Sequence, residues 1–292
     1  MKDLFILMRP QQWLKNAFVF APLFFNGSLT DGVALQQSLL AFAAYCLAAS
    51  AIYCFNDIYD READRKHPAK RLRPIASGKV SVAGGCLLSA LLAACSQALV
   101  LVLGGGARWP LAGCILFYLL MNVAYCTYLK RKTLVDIFII AIGFVLRIVA
   151  GGVATGIRLS HWLVLMTFLL ALFLALAKRR DDVVIYEETG RQMRKSITRY
   201  NLDFMNLSIT VVASVNLVCY ILYSVSAEVT ERIGSDYLYA TSVFVLLGLL
   251  RYMQLTIVDV RSGSPTHVLL HDRFIQCCVA GWGLLFAIIL YV

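Results

Sequence analysis

The chain has 292 residues, of which 60% are hydrophobic and 15% charged, and its mean hydropathy is +0.74. Soluble domains carry about a quarter charged residues, so this composition excludes an ordinary soluble globule and a disordered chain; it fits an all-α integral membrane protein. The net charge of +10 is read as the basic excess of cytoplasmic loops, not as a nucleic-acid footprint.

Continuous apolar runs, rather than alternating ones, argue for helices over a barrel. In chain order they predict nine spans: 13–27, 34–58, 81–103, 109–128, 134–155, 160–178, 205–227, 236–257 and 270–291. The first is short and polar at its start. No linker or low-complexity stretch divides the chain, so residues 1–292 are expected to form one transmembrane domain. The nine cysteines are scattered through apolar segments without a CxxC pair, which argues against disulfides and zinc. The four histidines form no metal-ligand pattern.

Charge alternates sharply between the loops. Twenty-three Lys and Arg residues fall on one side and three (Arg108, Arg158 and Arg232) on the other. That asymmetry predicts a plasma-membrane protein with a cytoplasmic N-terminus and an external C-terminus. The two long basic loops, 59–80 and 178–204, then share the cytoplasmic face.

The first of these loops carries the chemistry. Asp57, Asp60 and Asp64 stand at i, i+3 and i+7 where the second span ends, so one helix face would hold three carboxylates, with Asn56 at its edge. Three like charges in a row call for a cation, and oxygen donors with room for water favour Mg²⁺ shared with substrate phosphates. Lys66, Lys70, Arg71 and Arg73 follow at once. Acids for a metal beside bases for the remaining charge are what a pyrophosphate requires.

The run from Asn56 to Gly78, with its N-D-x-x-D-x-x-x-D pattern followed by H-P-x-K-x-x-R-P-I-A-S-G, resembles the first aspartate-rich motif of the UbiA superfamily of intramembrane prenyltransferases. Within that superfamily it is most similar to the decaprenyl-phosphate phosphoribosyltransferase branch. The resemblance covers essentially the whole chain. It implies a UbiA-like bundle of nine helices with a polar cavity facing the cytosol. Tyr125, Tyr128 and Lys130 resemble the family's tyrosine–lysine motif after the fourth span, and Lys130 is placed to meet a phosphate. Lys178, Arg179 and Asp182 stand where the superfamily has its second aspartate-rich motif. The earlier acid of that motif is here Lys178, which weakens a second metal site and favours a further anionic group. Asp136 and Arg147 lie eleven residues apart in one span; an intramembrane arginine is costly and tends to line a polar cavity. Tyr200 is a weaker substrate candidate. Glu187, Glu188, Arg191, Arg194, Lys195 and Arg199 read as a solvated face.

The expected reaction transfers a 5-phosphoribosyl group from phosphoribosyl pyrophosphate to a membrane polyprenyl phosphate. Asp57, Asp60 and Asp64 would hold Mg²⁺ and the pyrophosphate, with Asn56 in support. His67, Lys70 and Arg73 would contact donor phosphates, and Lys130 with Tyr125 a phosphate on the opposite wall. Lys178 and Arg179 would hold the ribose 5-phosphate or the lipid phosphate. Prenyl transfer from a prenyl diphosphate to an aromatic or other acceptor is the alternative. A transporter or scramblase is disfavoured, because the ionisable groups crowd one membrane face rather than the midplane. An apolar exterior is equally compatible with lipid and with homo-oligomer contacts.

Overall fold

The computed structural model describes residues 2–68, 70–103, 105–190, 197, 199–260 and 264–291. Among them every regular element is helical. The chain opens with α1 (Lys2–Met8), a 3-10 helix (Pro10–Phe20) and α2 (Ala21–Phe25). Next come α3 (Gly32–Tyr59), α4 (Arg61–Arg65), α5 (Val82–Val100), α6 (Arg108–Thr127), α7 (Val135–Thr155) and α8 (His161–Thr189). The remainder is α9 (Leu202–Val225), α10 (Ala227–Ile233), α11 (Ser242–Ile257), α12 (Pro265–His271) and α13 (Arg273–Tyr291). Eight helical stretches among the described residues are long and apolar enough to cross a bilayer. The expected first span, 13–27, is not among them: it divides into the 3-10 helix and α2. Pro10 and Pro22 stand at the starts of these two pieces, where a missing N–H costs nothing.

Local signals set where the long helices begin. Asp31 caps α3 by accepting from the Val33 and Ala34 amides at 2.9 and 3.2 Å. Ser81 caps α5, Ser160 caps α8 and Asn201 caps α9 in the same way.

The chain forms two compact units, one from residues 1–130 and 143–159, the other from 131–142 and 160–292. In the first unit α3 packs against α5, α6 and the 3-10 helix. Its core is built from Tyr45, Ala48, Ile52, Leu111, Ile115 and Tyr118. Helices α5 and α6 keep large apolar side chains exposed, among them Leu87, Leu91, Leu116 and Leu120, as a lipid-facing surface does. The second half of α7 belongs to this unit, and Gly151 on it lets the Val19 carbonyl approach: a Cβ there would lie 1.9 Å from that oxygen.

In the second unit α8 pairs with α9, and α11 packs on α13 and α9. Arg180 tethers the end of α11, donating to the Thr256 carbonyl at 2.7 Å and the Ile257 carbonyl at 3.4 Å, and to Asn206 Oδ1 at 2.7 Å. Such donation supplies terminal carbonyls that lack a helical partner. Asp272 precedes α13; it accepts from the Ile275 amide at 2.9 Å and pairs with Arg251 at 2.8 Å.

Candidate active site: a cation-bridged acid cluster

Helix α3 stays regular to Tyr59, and Asp60 turns the chain (φ −89°, ψ 3°) into α4. The three acids therefore sit on two helical pieces instead of one continuous face. The Asp60 and Asp64 amides still donate to the Asn56 and Asp60 carbonyls, so the backbone winds on, but the break sends the acids to different partners. Asp57, only 2% exposed, accepts from Arg73 Nη1 at 3.1 Å and is also paired with Arg9. Asp64, likewise buried, accepts from the same Arg73 nitrogen at 2.6 Å. Asp60 is half-buried and faces Lys130 Nζ at 2.5 Å, which also reaches Asn56 Oδ1 at 3.5 Å. Lys130 lies 5.1 Å from the centre of the Tyr59 ring, and Tyr59 donates to the Thr127 carbonyl at 3.0 Å. That contact ties the end of α3 to the end of α6, next to Lys130.

Two pairs of oxygen donors thus each share a single positive atom: Asp57 with Asp64 around Arg73, and Asn56 with Asp60 around Lys130. All four donors are hard oxygens, the chemistry Mg²⁺ selects. Among the described residues no three His, Cys, Asp or Glu side chains gather tightly enough to hold an ion alone. The expected trio Asp57, Asp60 and Asp64 is therefore not gathered into one metal site; the oxygen donors fit Mg²⁺ by their chemistry alone.

Other expected residues fall into several settings. The Lys70 amide donates to His67 Nδ1 at 3.3 Å, which folds the basic loop beside α4. Tyr125 packs against the first unit's core, while Tyr128 is exposed. Arg147 is buried and held by the protein itself: it donates to Asn16 Oδ1 at 2.9 Å, to the Gly143 carbonyl at 2.6 Å and to Tyr118 at 3.4 Å. Its guanidinium also lies 5.1–5.3 Å from the ring centres of Tyr45, Tyr118 and Phe144.

In the second unit, Arg179 and Asp136 form an ion pair at 2.6 Å with 1% and 0% side-chain exposure, and Arg179 reaches Asp182 at 3.3 Å. Tyr200 donates to Asp136 at 3.3 Å and accepts from the Leu134 amide at 2.8 Å. Leu134 stands in the left-handed region (φ 67°), which costs a leucine energy. Burial pushes the Tyr200 hydroxyl up to about 12, so it stays a donor through the physiological range. Lys178 is half-buried on α8. Glu187, Glu188 and Arg199 are exposed; Arg191, Arg194 and Lys195 lie outside the described residues.

Sequence reasoning passed over Arg9, which the structure brings to Asp57 across 48 residues. The available signal was an arginine directly before Pro10 at the head of an apolar run.

The chain matches the family model described as the UbiA prenyltransferase family over residues 18–269. It is 36% identical over 289 residues to the decaprenyl-phosphate phosphoribosyltransferase of Mycolicibacterium smegmatis, covering 94% of this chain and 88% of that one. The enzyme of the same name from Corynebacterium glutamicum is 33% identical, covering 98% and 86%. The fold is similar to a solved UbiA homolog from Archaeoglobus fulgidus bound to GPP and Mg²⁺, with a TM-score of 0.71, 17% identity, and coverage of 99% of this chain and 100% of that one.

Proposed function

This chain belongs to the UbiA prenyltransferase family, and from that membership we propose that it is a polyprenyl-phosphate phosphoribosyltransferase. The donor is phosphoribosyl pyrophosphate and the acceptor a polyprenyl phosphate anchored in the bilayer. The observation that carries the choice of reaction is the 36% identity, over nearly the full length of both chains, to an enzyme named decaprenyl-phosphate phosphoribosyltransferase. Lys178, standing where the resemblance to the superfamily's second motif implies an acid in prenyl-transferring members, supports the same choice.

A lipid phosphate oxygen attacks the anomeric carbon of the ribose, the bond from that carbon to the pyrophosphate oxygen breaks, and pyrophosphate leaves with the electron pair. The attacking oxygen is already an anion, so no proton has to be removed. Donor and acceptor together bring roughly six negative charges, and neutralising them is the main catalytic task. Asp57, Asp60 and Asp64, with Asn56, are the residues that would hold a divalent ion such as Mg²⁺. When bound, that ion would withdraw charge from the departing pyrophosphate. Arg73, Lys130, Lys70 and His67 contact donor phosphates. Lys178 serves a further substrate phosphate; Arg179, held by Asp136 and Asp182, positions this stretch of α8, and Tyr200 donates to Asp136. Tyr125 and Tyr128 precede Lys130 at the end of α6, and Arg147 holds Asn16 and Tyr118.

The broken segment Pro10–Phe25 serves as a ninth crossing in this reading. The whole chain then acts as one plasma-membrane domain, with its polar cavity and both basic loops toward the cytosol. Apolar helix faces leave room for homo-oligomers.

The test is a transfer assay. Protein in detergent receives Mg²⁺, polyprenyl phosphate and phosphoribosyl pyrophosphate labelled in the ribose, and label is expected in the lipid phase. If label stays aqueous while a prenyl diphosphate is consumed with an aromatic acceptor, prenyl transfer replaces this reading.

A further inference from the structure

The connection between α11 and α13 carries two of the chain's four histidines. His267 and His271 stand at i and i+4 on α12, so both project from one side of the helix. Both are exposed. Their rings lie parallel, 3.9 Å between centres and 8° between planes. His271 Nδ1 lies 2.9 Å from the His267 carbonyl oxygen. A carbonyl only accepts, so Nδ1 is the nitrogen that carries the proton. The lone pair of the neutral ring is then on Nε2, at the far side of the ring from that carbonyl. Metal-binding histidines are prepared in this way: one ring nitrogen donates to a carbonyl and the other is left for the ion.

The backbone beneath the pair is held by three further contacts. Val268, between the two histidines, is buried. The Asp272 amide donates to the Val268 carbonyl at 2.9 Å, and Gln276 Nε2 donates to the Leu269 carbonyl at 3.2 Å. Asp272 is in turn paired with Arg251 of α11 at 2.8 Å. Only side-chain rotation is then needed to seat an ion. Two Zn–N bonds at a tetrahedral angle set their nitrogens about 3.3 Å apart, close to the 3.9 Å that separates the ring centres. A tilt of the two exposed rings turns both lone pairs onto one point.

We propose that His267 and His271 form a chelating site for a borderline-soft divalent ion such as Zn²⁺, built from none of the acid-cluster residues. Imidazole nitrogen selects Zn²⁺, Ni²⁺ and Cu²⁺, whereas carboxylate and amide oxygens select Mg²⁺. Two protein ligands leave the other positions to water, so binding is reversible. The bound ion bridges one turn of α12 and braces the connection between α11 and α13.

Cu²⁺ is the reporter for the test, because it follows the same ligand preference more strongly and its electron paramagnetic resonance spectrum registers coordinated nitrogens. The full chain in detergent, with excess Mg²⁺ to suppress binding to carboxylates, is expected to hold one Cu²⁺ through two imidazole nitrogens, and Zn²⁺ is expected to displace it. In a chelate each ligand depends on the other. His267→Ala, His271→Ala and the double variant should therefore each lose about tenfold or more in Zn²⁺ affinity, by nearly the same factor. Losses that add in the double variant would mean two independent imidazoles and overturn the proposal. A two-nitrogen spectrum that survives in His271→Ala overturns it as well. If alanine unsettles α12, His271→Gln carries the test, and wild-type Zn²⁺ affinity in that variant overturns the site. His161→Ala should leave the spectrum unchanged; a spectrum lost there instead would assign the ion to another histidine and refute this one.

Discussion

Asp57 is a carboxylate almost sealed from water, and two guanidiniums make its charge tolerable. Removing that charge leaves Arg9 without its ion-pair partner and Arg73 with Asp64 alone, which costs more than the bond itself. Asp57→Asn is therefore expected to lower turnover by about a thousandfold or more while the chain still folds; transfer rate and thermal unfolding in detergent, measured side by side, check it. Wild-type turnover would refute the role given to Asp57. Lys178→Asp should weaken donor affinity about tenfold or more, since it places an acid where a phosphate is to bind. Titration with phosphoribosyl pyrophosphate reads this directly. The residue scale also shows where sequence reading ends. The acid row stood out because in-phase like charges at a membrane boundary repel one another unless a cation joins them, whereas Lys130 was expected only from the resemblance to the family's tyrosine–lysine motif. The split of their partnerships was not: the i, i+3, i+7 spacing assumes an unbroken helix, and the turn at Asp60 depends on the tertiary contacts of α3, α4 and the basic loop. Arg9 was hidden for a related reason, because its partner lies 48 residues away and its left-handed backbone is imposed by packing.

At the scale of elements, close backbone approach and buried charge hold the N-terminal segment. A methyl group on Gly151 would meet the Val19 carbonyl at 1.9 Å, whereas one on Gly113 meets nothing within 4 Å. Gly151→Ala should therefore lower the unfolding temperature by several degrees through overpacking, and Gly113→Ala should not; differential scanning of both variants decides. Arg147→Leu removes three hydrogen bonds and three ring contacts from a buried site. A loss of about 3 kcal/mol is expected, read as earlier exposure of Trp13 in denaturant. At the α11–α13 connection the Arg251 guanidinium beside Asp272 holds that carboxyl below its ordinary range. A depressed carboxyl contributes stability above the ordinary carboxylate pKa and loses it as pH falls through the folded value. Unfolding temperature should thus fall on acidification below about pH 4, and less so in Asp272→Asn. Most long helices were readable from their apolar runs. The first was not, because the Pro10–Phe20 stretch has a span's composition without an α-helical backbone.

At the scale of the whole molecule, the charge asymmetry predicts an orientation that can be tested. Protease added to the cytoplasmic side of membrane vesicles should cut within 59–80, and protease added outside should not. The exposed leucines of α5, α6 and α9, such as Leu87, Leu120 and Leu207, give the exterior the apolar character of a bilayer-embedded chain. One expected domain and two observed compact units are descriptions at different levels. Apolar runs and loop charges locate spans, but they carry no information about which spans gather into which unit.

That division has a consequence for anyone wishing to take the molecule apart. The polypeptide passes between the two units at 130/131, at 142/143 and again at 159/160. A single scission therefore never yields two self-sufficient fragments. Cutting after Lys130 strips the leading piece of Arg147 and Gly151, and with them the hold on Asn16 and Val19. Reassembly from separately produced halves should succeed only if the trailing half returns residues 143–159 to their partners, and recovery of pyrophosphate binding on mixing would report it.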